Sequence, residues 1–428
     1  MAVGLLSLAI ALSPRIPLPI VIPGRRFDLR VEDVLLLLLC TLWLVHLVAR
    51  PRLTSAGLAG PLVLYLALSA VSTVASMLSR ELPVSRGALY FLKDAEYLVL
   101  GLIVMHAVRT VGDLGFVTRI TLLGGVLNVL WVLFQLAGGT RGPVIVLGTP
   151  VGVYDPPRLL EAYGPGLMGE VSPLSTGAYF LLVFFLALGF VQSSRSLKVA
   201  FTYGALAFAY CAGLVLSQSR VAIAGLLVLL GLSLSSLLRR PRVMRYLIIT
   251  LLIPMMLTLA ALWGSPELEN LRFLKWEAYG RSMAYRWDVI WTPLAAHIPN
   301  SVLIGFGKGS LGVLPDMESG EAHNHYLRVI LESGVLGLAA FLWILQRVIV
   351  LGSQVYRRSH LAVGRILGFT TFVSAIAFAV AGLVQDIFAP VLPNALWWMI
   401  VGLAGAAYRM ERKWLETADD ADQHPVEA

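Results

Sequence analysis

Long apolar runs recur along this chain and decide what can surround it. A helix needs about 20 apolar residues to cross the roughly 30 Å hydrocarbon core of a bilayer. Twelve segments meet or approach that requirement: 2–13, 31–49, 57–78, 88–107, 114–137, 173–192, 199–217, 221–238, 246–263, 325–350, 366–388 and 395–408. Hydrophobic residues fill 58% of the 428 positions and charged residues only 14%, against about 25% charged in a soluble domain. The expected fold is an all-α polytopic membrane protein of about 12 transmembrane helices. The segment "MAVGLLSLAIALSPR" has no basic residue ahead of its apolar stretch, so it reads as a first span and not as a cleaved signal peptide.

Basic residues orient the spans. With residue 1 inside, the inner connections hold Arg50 and Arg52; Arg109 and Arg119; Arg195 and Lys198; Arg239, Arg240, Arg242 and Arg245; Arg357, Arg358 and Arg365; and Arg409, Arg412 and Lys413. The outer connections that carry Arg80 and Arg86, that carry Arg220, and that run from Asp386 to Asn394 hold far fewer, as expected when positive charge stays in the cytoplasm. The net charge of +8 is explained by these loops. A nucleic-acid binder would need a polar domain to carry its basic face, and none is present. Cys40 and Cys211 both lie inside apolar runs and read as small buried hydrophobes.

On this reading residues 1–263 hold nine spans with an outer loop near 138–172. Residues 264–324 form a second long outer loop, 325–408 hold three further spans, and 409–428 form a polar, disordered cytoplasmic tail. Long loops in compact membrane proteins are usually functional. "SPELENLRFLKWEAYGRSM" in the second loop mixes apolar and charged residues as an interfacial amphipathic helix would, or as an ordinary packed loop helix would.

Polar, chemistry-bearing residues gather on the expected outer face. "EAHNHYLRVILESG" places His323, Asn324 and His325 where the second loop meets the tenth span. An imidazole there can take a proton near neutral pH, or merely cap the helix. The two histidines are two residues apart and lack the four-residue spacing of a helical zinc pair, so no metal site is expected. Arg220, in the tight turn "LSQSR", would sit at headgroup depth with a planar fork suited to phosphate oxygens. Arg281 and Arg286 lie in "YGRSMAYRWDVIW". The loop 264–324 has five Lys/Arg against seven Asp/Glu, so any anion must be held by selected arginines. "GFGKG", with Lys308, reads first as a tight turn. Arg80, Arg86 and Lys93 are further cations on the same face; Lys93 can neutralise Asp94 and Glu96 or line a shared cavity with them.

Three of these stretches occur together and in order, and they resemble the O-antigen ligase and polymerase family of bacterial envelope polysaccharide synthesis. They are the "SQSR" turn, the "RWDVIW…LIGFGKG" segment, and "HNHYLRVILESG", a histidine–asparagine pair with Gly334 after a nine-residue gap. The likeness is strongest over about 200–345. The tryptophan after Arg286 comes at Trp291, one position late for the family pattern, so Arg281 remains the alternative to Arg286.

The resemblance implies a membrane glycosyltransferase of GT-C-like architecture in the bacterial inner membrane, with its active site facing the periplasm. It would be inverting, metal-independent and without a cofactor. The donor would be a glycan on undecaprenyl pyrophosphate. The acceptor would be a sugar hydroxyl of lipid A–core for a ligase, or of a second lipid-linked glycan for a polymerase. His323, Arg220 and Arg286 would be catalytic. Arg281, Asn324, His325, Tyr326, Lys308, Arg80, Arg86 and Lys93 would bind substrate. Membrane lipids and these glycolipids are the expected partners, with no nucleic acid. A secondary transporter of twelve spans is the rival class; transporters usually place ionisable residues near the midplane, whereas here they cluster at one face.

Overall fold

The structure is a computed structural model that describes residues 1–12, 15–22, 25–49, 56–136, 144–146, 149–151, 173–194, 196–217, 219, 225–228, 276–314 and 321–423. Its elements run in the order α1 (Ala2–Leu12), β1 (Arg15–Ile22), β2 (Arg25–Arg30), α2 (Val31–Ala49), α3 (Ala59–Leu78), α4 (Val84–Ala107), α5 (Val111–Leu136), β3 (Val144–Val146), β4 (Thr149–Val151), α6 (Pro173–Ser193) and α7 (Leu197–Leu216). There follow α8 (Trp276–Tyr285), a π-helical turn (Arg286–Trp291), α9 (Thr292–His297), α10 (His325–Arg358), α11 (Ala362–Ala381) and α12 (Val391–Gln423).

Among the described helices eight are long and apolar enough to cross a membrane: α2, α3, α5, α6, α7, α10, α11 and α12. The chain is a polytopic α-helical membrane protein. Backbone groups in lipid must be paired within the segment, which is why the apolar runs become helices. Helix α4 is also long, but Lys93, Asp94 and Glu96 interrupt its apolar character, and α1 is a short helix. The spans expected at 221–238 and 246–263 lie outside the described residues, except for a helical turn at 225–228.

Two features depart from expectation. The chain is not wholly α: β1 and β2 form one antiparallel hairpin, and β3 and β4 another inside the first long loop. The segment after 408, expected to be disordered, continues α12 as helix to Gln423.

Helices α6 and α12 form the centre. Residues Ala178 to Leu188 of α6 are buried without a break, packed against α7, α11 and α12. Helix α2 is peripheral, and its Leu37, Val45 and Val48 are 70, 64 and 85% exposed. In a bilayer that face meets acyl chains, so its exposure carries no penalty. Cys211 is buried in the core and Cys40 partly so, and both are free thiols.

Helix α10 is not continuous. Gly334 has φ 70° and ψ −176°, a combination that only glycine adopts readily. The kink frees two carbonyls from helical bonding. The Leu331 carbonyl accepts from the Phe306 N–H at 2.7 Å, and the Glu332 carbonyl accepts from the Gly307 N–H at 2.9 Å and from the Ser72 hydroxyl at 2.7 Å. A Cβ on Gly334 would lie 2.1 Å from the Leu303 carbonyl oxygen. The nine-residue gap before this glycine therefore sets where the helix bends, and the bend is where the second long loop docks on the bundle.

The two ends of the bundle differ. At one end α3 meets α4 and α10 begins beside the end of α11, where the His325 N–H donates to the Gly382 carbonyl at 2.8 Å. At the other end the Arg409 guanidinium donates to the Val108 carbonyl at 2.6 Å, and Glu411 accepts from the Ser359 hydroxyl at 2.7 Å. Arg109, Arg357, Arg358, Arg365 and Arg412 gather at that second end. Of the basic connections read from the sequence, those after α4, after α10 and within α12 lie together at this end.

Gly334→Ala is expected to destabilise the protein by at least 1–3 kcal/mol, roughly, seen as a lower thermal unfolding midpoint in detergent. Gly204→Ala is the control: a Cβ there meets nothing within 4 Å, and the midpoint holds or rises.

Candidate functional site

The described part of the second long loop folds onto a small apolar cluster of its own. Ile290, Leu294, Leu311, Ala322 and Leu331 are buried together, joining the π-helical turn and α9 to the start of α10. The turn "GFGKG" wedges between this unit and α3. Gly305, Gly307 and Gly309 all have positive φ. A Cβ on Gly305 would stand 2.5 Å from the Ser333 nitrogen, so the close approach requires glycine.

His323 sits at the lip of α10 with φ 48°. Its unusual backbone is held by Asp386, whose Oδ2 accepts the N–H groups of both Ala322 and His323 at 3.1 Å. Its ring Nδ1 faces Gln385 Oε1 at 3.1 Å, and Nε2 lies 3.8 Å from Glu321 Oε2. The side chain is 28% exposed, so the imidazole is anchored at one edge and open enough for a ligand to reach. Trp291 explains its own place in the sequence: its indole N–H donates to the Ala322 carbonyl at 2.9 Å, pinning the residue before His323.

The neighbours of His323 have structural duties. Asn324 is the N-cap of α10, its Oδ1 accepting the Leu327 N–H at 3.0 Å. His325 is buried between Phe341 and Phe388, each ring 4.9 Å away. The Tyr326 hydroxyl donates to the Ala379 carbonyl at 2.6 Å. These three were expected to bind substrate; in the structure Asn324 and Tyr326 fasten α10 to its surroundings and His325 packs in its core.

Arg286 reaches the same place as His323 from another element. Its guanidinium donates to the Val384 carbonyl at 2.8 Å, one residue from the partner of the His323 ring. Arg281 is exposed on α8. Arg220 lies outside the described residues. Its neighbour Ser219 is buried, and a Cβ on Gly177 near the start of α6 would touch it at 2.3 Å. Gly189, near the other end of α6, approaches Ile366 at the start of α11, which is the basic end. The residue preceding Arg220 therefore lies at the His323 end.

The remaining expected cations are mostly engaged within the fold. The Lys308 ammonium is buried, 2.7 Å from Asp94, 3.4 Å from Glu332 and 2.7 Å from the Tyr65 hydroxyl. Burial acts to lower its pKa, but Asp94, Tyr65 and Glu332 outweigh that and hold it above the ordinary lysine value. Arg86 is buried too; its Nε donates to the Gly309 carbonyl at 2.8 Å, and its guanidinium lies over Tyr90. Lys93 pairs with Asp33 and with Glu96, tying α4 to α2. Arg80 is exposed in the α3–α4 turn with φ 63°.

Sequence reasoning missed Arg328, Glu332, Gln385 and Asp386. Arg328 lies 3.3 Å from Glu332 and 4.0 Å from Asp386. Arg328, Glu332, Asp386 and Lys308 form a buried line of charge that runs from the His323 loop to the half-buried Asp94 of α4. Burial pushes the Asp386 carboxyl up from its ordinary value, and Arg328 acts against that shift. The signal was present: Arg328 and Glu332 are opposite charges four residues apart in an apolar helix, which is a pairing distance. Among the described residues no group of three or more His, Cys, Asp or Glu side chains could hold a metal ion.

Substitutions separate these structural roles from substrate contact. Asn324→Ala is expected to cost about 1 kcal/mol of stability and Asn324→Asp or Asn324→Ser almost none, measured as thermal midpoints. Lys308→Met leaves Asp94 and Glu332 facing one another in a buried site and should cost about 3–5 kcal/mol, visible as loss of folded, monodisperse protein.

Residues 204–342 match the family model described as O-antigen ligase. The matched stretch contains Arg220, Arg281, Arg286, Lys308 and the whole segment from His323 to Gly334. A comparison with curated proteins gave no match.

Proposed function

We propose, on the premise that residues 204–342 are an O-antigen ligase family domain, that this membrane protein transfers a glycan from undecaprenyl pyrophosphate to an acceptor sugar hydroxyl. The favoured acceptor is lipid A–core, and the reaction takes place at the outer face of the bacterial inner membrane. The observation that carries this reading is the meeting of His323 and Arg286 at one turn. Gln385 holds the imidazole and the Val384 carbonyl holds the guanidinium, although the two side chains come from separate parts of the loop. That turn lies at the end of the bundle opposite Arg109, Arg357, Arg358, Arg365 and Arg412, the end that faces outward if those connections are cytoplasmic.

The chemistry follows from the groups. The acceptor hydroxyl oxygen attacks the anomeric carbon, and its proton passes to His323. The bond from that carbon to the pyrophosphate oxygen breaks, and its electron pair leaves with undecaprenyl pyrophosphate. Attack from the face opposite the leaving group inverts the anomeric centre. Arg286 and Arg220 stabilise the charge that grows on the pyrophosphate, through paired hydrogen bonds that tighten as the bond breaks. Arg286 is preferred over Arg281 because its guanidinium is already drawn to the His323 turn.

His323→Ala should lower the transfer rate by about 10²–10⁴-fold while the protein still inserts and folds. Arg220→Lys should be severely impaired, because a point charge replaces a bidentate fork; wild-type activity in either variant would overturn that residue's role. A chelator should leave the rate unchanged, because guanidinium groups carry the leaving-group charge in this mechanism. The acceptor is read from a deletion strain. Loss of long glycan on the core, with lipid-linked polymer accumulating, means ligation. Single repeat units remaining on the core mean polymerisation, the same chemistry with a second lipid-linked glycan as acceptor. Unchanged envelope glycans would favour a transporter and sink the transferase reading.

A further inference from the structure

A base is defined by which of its nitrogens carries the lone pair, and in a neutral imidazole the hydrogen bond at one nitrogen decides the state of the other. The His323 ring makes one side-chain hydrogen bond of ordinary length, from Nδ1 to Gln385 Oε1 at 3.1 Å. Among the described residues Nε2 is approached by Glu321, a carboxylate 3.8 Å away that is 65% exposed. Gln385 itself is not on a loose loop. Its N–H donates to the Ala381 carbonyl at 3.0 Å, one residue before Asp386 holds the His323 backbone. Both edges of the histidine, main chain and ring, are therefore referenced to two consecutive residues of the α11–α12 turn.

We infer that Gln385 is a positioning residue: its amide oxygen accepts the His323 Nδ1–H, fixing the tautomer in which Nε2 is the free base. The inference rests on the transferase reading, within which it assigns the proton-accepting atom. In the transfer step the acceptor O–H proton goes to Nε2, giving an imidazolium with both nitrogens protonated; the Nδ1–H stays on Gln385 throughout. An amide gives the orienting bond without a charge. A carboxylate in that position would also accept from Nδ1, but would stabilise the imidazolium and raise the pH at which the base becomes available. The other charged groups near the ring are Glu321 on its own loop, Asp386 on the turn, Arg328 on α10 and Arg286 on the π-helical turn. All four are unchanged in the variants below, so a shift between variants reports residue 385.

The test uses the full-length protein in membranes of its own host, with release of undecaprenyl pyrophosphate from the native lipid-linked glycan as the readout. Wild type, Gln385→Met, Gln385→Glu and His323→Ala are compared across pH, with folding checked by size exclusion. Gln385→Met should lose tenfold or more in kcat with KM little changed. Gln385→Glu, which keeps the acceptor, should recover kcat to within about threefold of wild type at its own optimum. Its acid limb should move to higher pH, because the basic form of His323 appears only above a raised pKa. Wild-type kcat and pH profile in Gln385→Met would overturn the inference. So would a Gln385→Glu as inactive as Gln385→Met, since an amide that donated to Nδ1 could not be replaced by a carboxylate. If Gln385→Met does not fold, the direction of the Gln385→Glu shift decides alone. His323→Ala separates the two levels: inactive with Gln385→Met intact removes only the positioning role, whereas an active His323→Ala removes the base and Gln385 with it.

Discussion

A membrane helix that breaks must find partners for the carbonyls it exposes, because lipid offers none. In α10 the break at Gly334 leaves the Leu331 and Glu332 carbonyls to be satisfied by the glycine-rich turn and by Ser72. The loop is thereby stitched to the bundle by main-chain hydrogen bonds, and the Ser69–Ser333 hydroxyl contact at 3.0 Å closes the same seam. The loop-borne side chains of the proposed site hang from this attachment. The loop carries Arg286 and Trp291, the turn carries Lys308, and the short segment before α10 carries His323.

The buried charges reinforce the seam. Lys308 lies between Asp94 of α4 and Glu332 of α10, and Glu332 also accepts the Gly309 N–H at 3.1 Å. Such a set is strongly destabilising to break, because any survivor is left without a partner in a region of low polarity. Its value lies in register. A loop docked one position away would strand a carboxylate, so the ion network rejects misdocked arrangements more firmly than apolar packing could.

Much of this was legible in the sequence. Apolar run length gave the helices α2, α3, α5, α6 and α7 close to their observed bounds, because run length reports the requirement for burial in lipid directly; α10 instead runs on to Arg358, α11 stops at Ala381 short of the expected 388, and α12 starts early and extends to Gln423. The histidine motif and its distant glycine were visible as a pattern. The roles within the motif were not legible. Asn324 is a cap, His325 is core and Gly334 is a hinge, and each of those depends on backbone geometry that spacing alone does not reveal. The partners of the expected cations were hidden for a related reason. Lys308 and Lys93 look available when carboxylates distant in sequence, Glu332 and Asp33, are not known to be neighbours. Gln385 and Asp386 escaped notice because an amide and a carboxylate in a short turn have no periodicity to betray them.

The α11–α12 turn has a wider consequence. Within eight residues it bonds the Tyr326 hydroxyl, the His325 N–H, Arg286, the His323 ring and the His323 main chain. It is also the short link between two helices of the bundle. The separation of the His323 imidazole and the Arg286 guanidinium is therefore geared to the angle between α11 and α12.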